Sequence, residues 1–243
     1  MKILIAIPVY NEENILENNI NKVLDFCHNK LDIDFKIVIA DNNSTDKTAE
    51  IGRQLADKNS EVEYYFIDQQ GKGGAIKNVW ANDYSADIYC FMDADLATDL
   101  SALPNLISEI NNGNDIVIGS RFHSKSKVSR PLSRKIISYL YHLFLKISVR
   151  TKINDAACGF KAISKKAKLQ LLPDLQNEGW FFDSELVLLA DKSGYKVKEI
   201  PVCWAEPRTN DSPSKVNIWL LSRDYLKQVS IFKKNLRNLY IQK

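Results

Sequence analysis

Ile88-Tyr89-Cys90-Phe91-Met92-Asp93-Ala94-Asp95 is the stretch from which the fold can be read: five apolar residues stop at two carboxylates one residue apart. A short run that is apolar throughout reads as a strand buried on both faces, the pattern of parallel-sheet strands. Open α/β sheets collect ligands just beyond the carboxyl ends of their strands. Asp93 and Asp95 fall there, and once the strand has ended both side chains can approach one hard cation, directly or through water. Mg²⁺ is commonly held by one or two carboxylates completed by substrate phosphates. Alone, Asp-x-Asp suits an ordinary solvated turn equally well, because Asp favours turns; the surrounding chain has to choose.

Outward from this strand, strand-like runs alternate with helix-like periodicity, which argues for an α/β fold with a mainly parallel sheet covered by helices. Residues 3–9, 37–40, 62–67 and 116–118 read as further strands. Asn11 is placed as the N-cap of a helix with apolar positions Leu16, Ile20, Val23, Leu24 and Cys27, and with Glu12 and Glu13 in its first turn. Other helices are expected over 48–56, 75–80, 103–110 and 184–190, and residues 207–214 are the one Pro-containing, structure-poor stretch. The polar ends of these strands share a character. Asn11-Glu12, Asp41-Asn42, Gly71-Lys72, Asp93 to Asp95 and Arg121 would line one rim of a parallel sheet. Carboxylates for a metal, a lysine among glycines and an arginine together suit a diphosphate, whose oxygens a metal bridges while cations neutralise the leaving phosphate. Gly71-Lys72-Gly73-Gly74 lacks the spacing and the Ser/Thr of a Walker A loop, which disfavours a kinase or ATPase of that type; alone it also reads as a plain loop.

With 243 residues, 45% of them hydrophobic, the chain can bury a full core in one large domain or a domain with an appendage. A formal charge of only +3 gives no reason to expect nucleic-acid binding. Cys27, Cys90, Cys158 and Cys203 are widely spaced and read as free thiols in a reducing compartment. His28, His123 and His142 show no metal-ligand spacing, so zinc is not expected. The apolar start is too short for a signal peptide, and nothing reaches the roughly 18 apolar residues of a spanning helix. A cytoplasmic protein is expected, with contact at a membrane surface left open.

In this order the motifs resemble those of the family 2 glycosyltransferases of GT-A fold. The family's Pro-x-Tyr-Asn-Glu stands as Pro8-Val9-Tyr10-Asn11-Glu12, its Asp-Asp-Gly-Ser-x-Asp loop as Asp41-Asn42-Asn43-Ser44-Thr45-Asp46, and its Asp-x-Asp as Asp93-Ala94-Asp95. The resemblance implies a Rossmann-like, mixed but mainly parallel sheet and a nucleotide-sugar donor bound by Pro8, Tyr10, Asn11, Glu12, Asp41, Asn42, Gly71, Lys72 and Asp93. It also implies Mg²⁺ or Mn²⁺ on Asp93 and Asp95, and inversion at the anomeric centre. Within the family the chain looks most like polyprenyl-phosphate (dolichyl-type) glucose and mannose synthases. On that likeness Arg121, Arg134, Ser138 and Lys215 would bind the acceptor phosphate, with Asp155 and Glu185 joining Asp93, Asp95 and Arg121 in the catalytic set. Asp155 to Lys161, Trp180 to Leu186 and Glu199 to Trp204 resemble the glucose-transferring branch, so UDP-glucose is favoured over GDP-mannose. The departures are Asn42 for the loop's second Asp, Ala97 where mannose synthases carry glutamine, and Pro213 for a glycine before Ser214-Lys215. Many relatives of this kind carry membrane-spanning helices and none is read here, so a peripheral position on the cytoplasmic membrane face is expected.

Two helices bear on that position. Residues 136–149 are apolar except for Ser138, His142, Lys146 and Ser148, and Arg134, Ser138, His142 and Lys146 form one stripe at intervals of four. So narrow a polar face belongs in a core or at a lipid surface. At the end of the chain Ile218, Leu221, Tyr225, Val229, Phe232, Leu236 and Tyr240 repeat at helical spacing among Arg223, Lys227, Lys233, Lys234 and Arg237. That pattern suits anionic headgroups or an ordinary packed helix with a solvated basic face. The expected organisation is a catalytic domain over 1–215, with a donor half (1–122) and an acceptor half (123–215), followed by a basic amphipathic helix over 216–243. Two other functions stay open, transfer to a soluble glycan or protein and a catalytically silent nucleotide-binding module.

Overall fold

The computed structural model describes residues 1–206 and 218–241, with the side chains of the last helix described over 224–236. In chain order the elements are β1 (Lys2–Val9), α1 (Leu16–Lys30), β2 (Asp34–Asn42), α2 (Thr48–Lys58), β3 (Val62–Ile67), α3 (Lys72–Ala81), β4 (Ile88–Met92), α4 (Leu103–Asn111) and β5 (Ile116–Ser120). They continue with β6 (Lys127–Ser129), α5 (Leu132–Val149), β7 (Phe160–Ser164), α6 (Lys165–Leu171), α7 (Phe182–Lys192), β8 (Val197–Pro201), β9 (Cys203–Ala205) and α8 (Ile218–Ile241). The main sheet has seven strands in the order β3-β2-β1-β4-β7-β5-β8, and β6 pairs with β9 in a small second sheet.

Every pairing in the main sheet is parallel except those of β7, which runs antiparallel to both β4 and β5. The mixed, mainly parallel sheet that the family resemblance implies is therefore present. Side chains alternate between its faces with the period of two that a pleated strand imposes. Leu4, Ala6, Val38, Ala40, Tyr89 and Phe91 pack on one side with residues of α3, α5, α7 and α8. Ile3, Ile5, Ile7, Ile37, Ile39, Cys90 and Met92 pack on the other with α1, α2 and α4. Since both faces are covered, polar side chains on the inner strands are confined to the strand ends, and the rim inherits the chemistry.

One expectation changes. Asn11 does not cap α1, because the helix begins at Leu16 with Ile15 as N-cap. Asn11 instead adopts a positive φ of 53°, and its Oδ1 accepts from the Thr45 amide at 2.7 Å, a local use of Asn that the left-handed region favours. The two halves share one sheet, since β7 inserts between β4 and β5. The last helix packs against the domain. Val229 and Phe232 are buried in the core, and Tyr225 stacks on Tyr141 and Phe181 at centroid distances of 5.0 and 5.8 Å.

Removing the Phe232 ring leaves a void beside Phe181, and Phe232→Ala is expected to lower global stability by about 3–5 kcal/mol in urea unfolding. A loss near zero would mean that α8 behaves as a separate appendage.

Candidate active site

The loops that leave β1 and β2 are tied together. Asp41, wholly buried at the end of β2, accepts from the Ser44 amide at 3.0 Å and from the Tyr64 hydroxyl at 2.6 Å. Ser44 Oγ accepts from the Asn11 amide and Thr48 Oγ1 from the Glu12 amide, at 2.9 and 2.8 Å. Glu13 accepts from the Lys47 amide at 3.0 Å, and Asp46 caps the start of α2 by accepting from the Thr48 amide at 2.9 Å. Burial followed by the Asp41 bond raises the Tyr64 pKa and keeps its proton in place. The motifs around Pro8, Tyr10, Asn11 and Glu12 and around Asp41 and Asn42 thus form one braced wall at the carboxyl end of the sheet. Asn42 Oδ1 accepts from the Gly71 amide at 2.7 Å, so its oxygen serves the start of the next helix. Gln70 donates to the Tyr10 hydroxyl at 3.0 Å.

Gly71 and Gly73 are glycines because loop 177–179 presses on them. A Cβ on Gly71 would lie 2.3 Å from the Glu178 carbonyl oxygen, and one on Gly73 would lie 2.5 Å from Phe182 Cβ. This close approach delivers Lys72, buried at the start of α3, to the rim. Its ammonium lies 2.7 Å from Asp93 Oδ1 and 2.8 Å from Asp183 Oδ2, with the rings of Trp180 and Phe91 at 5.5 and 5.6 Å. Burial pulls the Lys72 pKa down, but Asp183 and then Asp93 outweigh it, so the ammonium is raised above its ordinary value and stays charged. Lys161, the second residue of β7 and without exposure, lies 3.1 Å from Asp183 Oδ1 and donates to the Cys158 carbonyl.

After β4 the chain turns at once. The Leu96 amide donates to the Asp93 carbonyl at 3.2 Å, Leu96 takes a positive φ of 49°, and Asp95 Oδ1 accepts from the Ala97 amide at 3.1 Å. A leucine in the left-handed region is strained, and such strain concentrates at functional turns. Gly159 makes room for the Asp93 carboxylate, since a Cβ there would sit 2.0 Å from Oδ2. Among the described residues no group of three or more His, Cys, Asp or Glu gathers as a closed metal cage. Two carboxylates on one turn fit Mg²⁺ or Mn²⁺ completed by diphosphate oxygens and water. Asp95 is the first candidate, with Asp93 shared with Lys72.

Beyond β5, Arg121 is held by Asp155. Its Nε and Nη2 donate to the two carboxylate oxygens at 2.8 Å, and its amide donates to Oδ2 at 2.8 Å. His142 Nε2 from α5 lies 3.2 Å from Asp155 Oδ1, and Glu199 of β8 accepts from the Asp155 amide at 3.0 Å. Burial pushes the Asp155 carboxyl up, but the charge and bonds of Arg121, joined by His142, hold it well below the ordinary range. Arg121 and Asp155 are thus brought together beside the Asp93 turn, whereas other expected residues are not. Arg134 pairs with Glu206 at 2.6 Å. Ser138 accepts from Arg130, not from Arg134, at 3.1 Å. Glu185 is turned to a bracing task, accepting from the Gln176 and Asn177 amides at 3.2 and 2.8 Å, which explains how loop 177–179 is presented to α3; burial raises its pKa. Lys215 lies outside the described residues. Sequence reasoning missed Lys161, Arg130 and Trp204, and a lysine inside an apolar strand was the one available signal for the first.

Truncating Asp155 leaves the buried Arg121 charge unmatched, so Asp155→Ala is expected to cost about 3–5 kcal/mol in denaturant unfolding. Because the folded pKa of Asp155 is depressed, its contribution is complete above the ordinary carboxylate range and is lost as pH falls below it. Between about pH 5 and pH 2 the wild type should therefore lose more stability than Asp155→Asn; parallel pH profiles would contradict this.

Comparison with known proteins bears on the whole of this geometry. The family described as Glycosyl transferase family 2 matches residues 4–171. Glycosyltransferase AglD of Haloferax volcanii is 31% identical over 211 residues, covering 86% of this chain and 34% of the relative. Dolichyl-phosphate beta-glucosyltransferases of Saccharomyces cerevisiae and Dictyostelium discoideum are 29% and 32% identical, each covering 83% of this chain and 66% of the relative. The chain therefore spans about a third of the first relative's length and just under two thirds of the other two. Glucosyl-3-phosphoglycerate synthase from Mycobacterium tuberculosis, solved with Mn²⁺, UDP-glucose and phosphoglyceric acid, superimposes with a TM-score of 0.67 at 17% identity over 95% of this chain and 79% of that one, a likeness of fold. The chain belongs to glycosyl transferase family 2, and its sheet is that of the GT-A fold.

Proposed function

We propose that the chain transfers glucose from UDP-glucose to the phosphate of a polyprenyl (dolichyl-type) phosphate, with Mg²⁺ or Mn²⁺ on the donor and inversion of the anomeric centre. The observation that carries this reading is the placement of Arg121, clamped by Asp155, beside the Asp93–Asp95 turn. An anionic, phosphate-bearing acceptor needs cations at the point where its oxygen meets the sugar. The relatives named dolichyl-phosphate beta-glucosyltransferases support both the acceptor and the β product, which inversion of an α-linked donor gives.

The chemistry follows from the residue types. An acceptor phosphate oxygen attacks C1 as the bond from C1 to the diphosphate oxygen breaks, and the electron pair leaves with UDP. A phosphate is anionic near neutral pH, so no strong base is required and positioning dominates. Asp155 suits that division of labour, because a carboxylate matched by Arg121 is a poor proton acceptor. Two of the five N–H groups of Arg121 are used by Asp155 side-chain bonds, and the guanidinium keeps others with which to orient the acceptor. Lys72 and the metal would face the developing charge on the diphosphate. A bound metal supplies charge neutralisation for the leaving group.

Helix α5 supports a membrane-surface acceptor. Arg134, Ser138 and His142 of its polar stripe face the protein, where Glu206, Arg130 and Asp155 meet them. Its apolar flank, including Leu132, Ile136, Tyr139, Leu140, Leu143 and Ile147, is exposed, with Leu132 and Ile147 above 70%. A soluble surface rarely shows a contiguous apolar face of this kind, and it suits burial in the headgroup boundary. Among the described residues no helix is long and apolar enough to cross a membrane. Lys227, Lys233 and Lys234 of α8 are exposed and suit anionic headgroups on the cytoplasmic face.

The deciding assay combines the protein, Mg²⁺ or Mn²⁺, a panel of nucleotide sugars and polyprenyl phosphate in liposomes. UDP-glucose should give lipid-linked glucose, and Asp95→Ala should lower kcat/KM on the order of 100-fold or more. No lipid-linked sugar from any donor would sink the acceptor. Product from GDP-mannose alone would replace the sugar and nucleotide. In flotation with anionic liposomes the wild type should rise, and a Leu140→Glu, Ile147→Glu double variant of unchanged melting temperature should stay below.

A further inference from the structure

Three arginines and two carboxylates meet between α5 and β9. Asp155 is fully engaged by Arg121, and Glu206 is engaged by Arg134 at 2.6 Å. Among the described residues Arg130, at the approach to α5, forms no ion pair with a carboxylate. It donates through Nη1 to Ser138 Oγ at 3.1 Å, and its Nε is buried without a hydrogen-bond partner. Its guanidinium carbon lies 5.3 Å from the centre of the Trp204 ring, over which Arg121 also sits, at 5.9 Å. Burial, and then the charge of Arg121, lower the Arg130 pKa to about 10. Two guanidinium groups thus share one aromatic platform, and among the described residues only Arg121 is paired with a carboxylate.

An orphaned N–H on a part-buried guanidinium costs stability unless something accepts from it. Among the described residues the three arginines meet two carboxylates, so an anion is the partner that suits Arg130. Both guanidinium groups lie over the Trp204 ring, and the charge of Arg121 acts on Arg130, so a compact anion with several oxygens suits both. A phosphate monoester has that charge and that shape, and guanidinium forks match it in bidentate fashion. The strand that carries Trp204 also pairs with the segment after the Asp93–Asp95 turn. Thr98 bridges to Trp204, the Asp99 amide donates to the Cys203 carbonyl at 2.9 Å, and the Ala205 amide donates to the Ala97 carbonyl at 3.0 Å. The platform is therefore hydrogen-bonded to the donor turn.

We infer that Arg130, oriented by Ser138 and by the face of Trp204, is the second arginine of a phosphate-monoester seat shared with Arg121. Arg134 instead fastens α5 to the end of β9 through Glu206. Ser138, expected from the sequence to touch phosphate beside Arg134, acts by aiming Arg130. This inference rests on the acceptor reading above only for what carries the phosphate; the seat itself is defined by charge and donors.

The full chain is titrated by calorimetry with inorganic phosphate and with a soluble short-chain isoprenyl phosphate, and UDP affinity and melting temperature are measured beside them. Arg130→Ala should weaken the isoprenyl phosphate at least about 10-fold and leave UDP affinity as in the wild type. Arg134→Ala should weaken it no more than about threefold. The reverse order of losses overturns the inference, as does an undiminished affinity in Arg130→Ala. If Arg130→Ala melts early, Arg130→Lys carries the test, because it keeps the stem and a charge but loses the planar fork. Weakened binding at an unchanged melting temperature supports the seat, and unchanged binding refutes it. A wild type that binds phosphate through Arg130 yet glycosylates no polyprenyl phosphate would sink the proposed acceptor and keep the seat. Lipid-linked product formed with an unaltered acceptor KM in Arg130→Ala would do the opposite.

Discussion

A carboxylate with no access to water has to be matched on every side, and Asp155 is such a group. Arg121 reaches it from the end of β5 with two side-chain bonds and an amide, His142 reaches it from α5, and Glu199 of β8 holds its own amide. Four segments that are distant in sequence are thereby fixed to one another at the side of the rim proposed for the acceptor. The arrangement does not maximise stability, since a buried ion pair recovers its desolvation penalty only when geometry and hydrogen bonds are good. What it provides is a guanidinium with its Asp155-facing edge locked and the remaining donors in a defined direction, which is what orientation of an anionic nucleophile demands.

A second buried charge system sits on the donor side. Lys72 joins the turn after β4 to α7 by bridging Asp93 and Asp183, and Lys161 secures Asp183 from β7. The antiparallel strand β7 thus contributes to both systems. Its second residue is Lys161, while the residues leading into it supply Asp155 and also Gly159, against which the Asp93 carboxylate packs. One inserted strand thus separates the Lys72 and Arg121 charge systems, so the mixed topology of the sheet has a chemical consequence.

The parallel half of this fold was legible because its signal is local. An apolar run that ends in polar residues states both the strand and the end that carries ligands, and Asp41, Lys72, Asp93, Asp95 and Arg121 all emerged from that pattern. The direction of β7 was not legible, because an apolar pattern has no polarity along the chain, and Lys161 counts against a strand until its partner Asp183 is seen. Pairings across 72 and 34 residues, Arg134 with Glu206 and Arg121 with Asp155, lie beyond any spacing rule. The i to i+4 interval that groups Arg134 with Ser138 is real on the helix, yet Arg130 wins the serine by arriving from outside it. Asn11 shows the same limit, since a residue suited to a helix cap is equally suited to a left-handed turn, and the neighbouring loop decided the outcome.

Helix α5 joins the two levels of the structure. Ordinary surface helices bury the apolar face and expose the polar one; here Arg134, Ser138 and His142 are turned inward, toward Glu206, Arg130 and Asp155, and the apolar flank is turned out. Turning the helix the other way would bury more apolar area but would take Arg134 from Glu206, Ser138 from Arg130 and His142 from Asp155. On the proposed reading, a surface that supplied an apolar medium for that flank would at the same time present a lipid's phosphate to the arginines on the inner side.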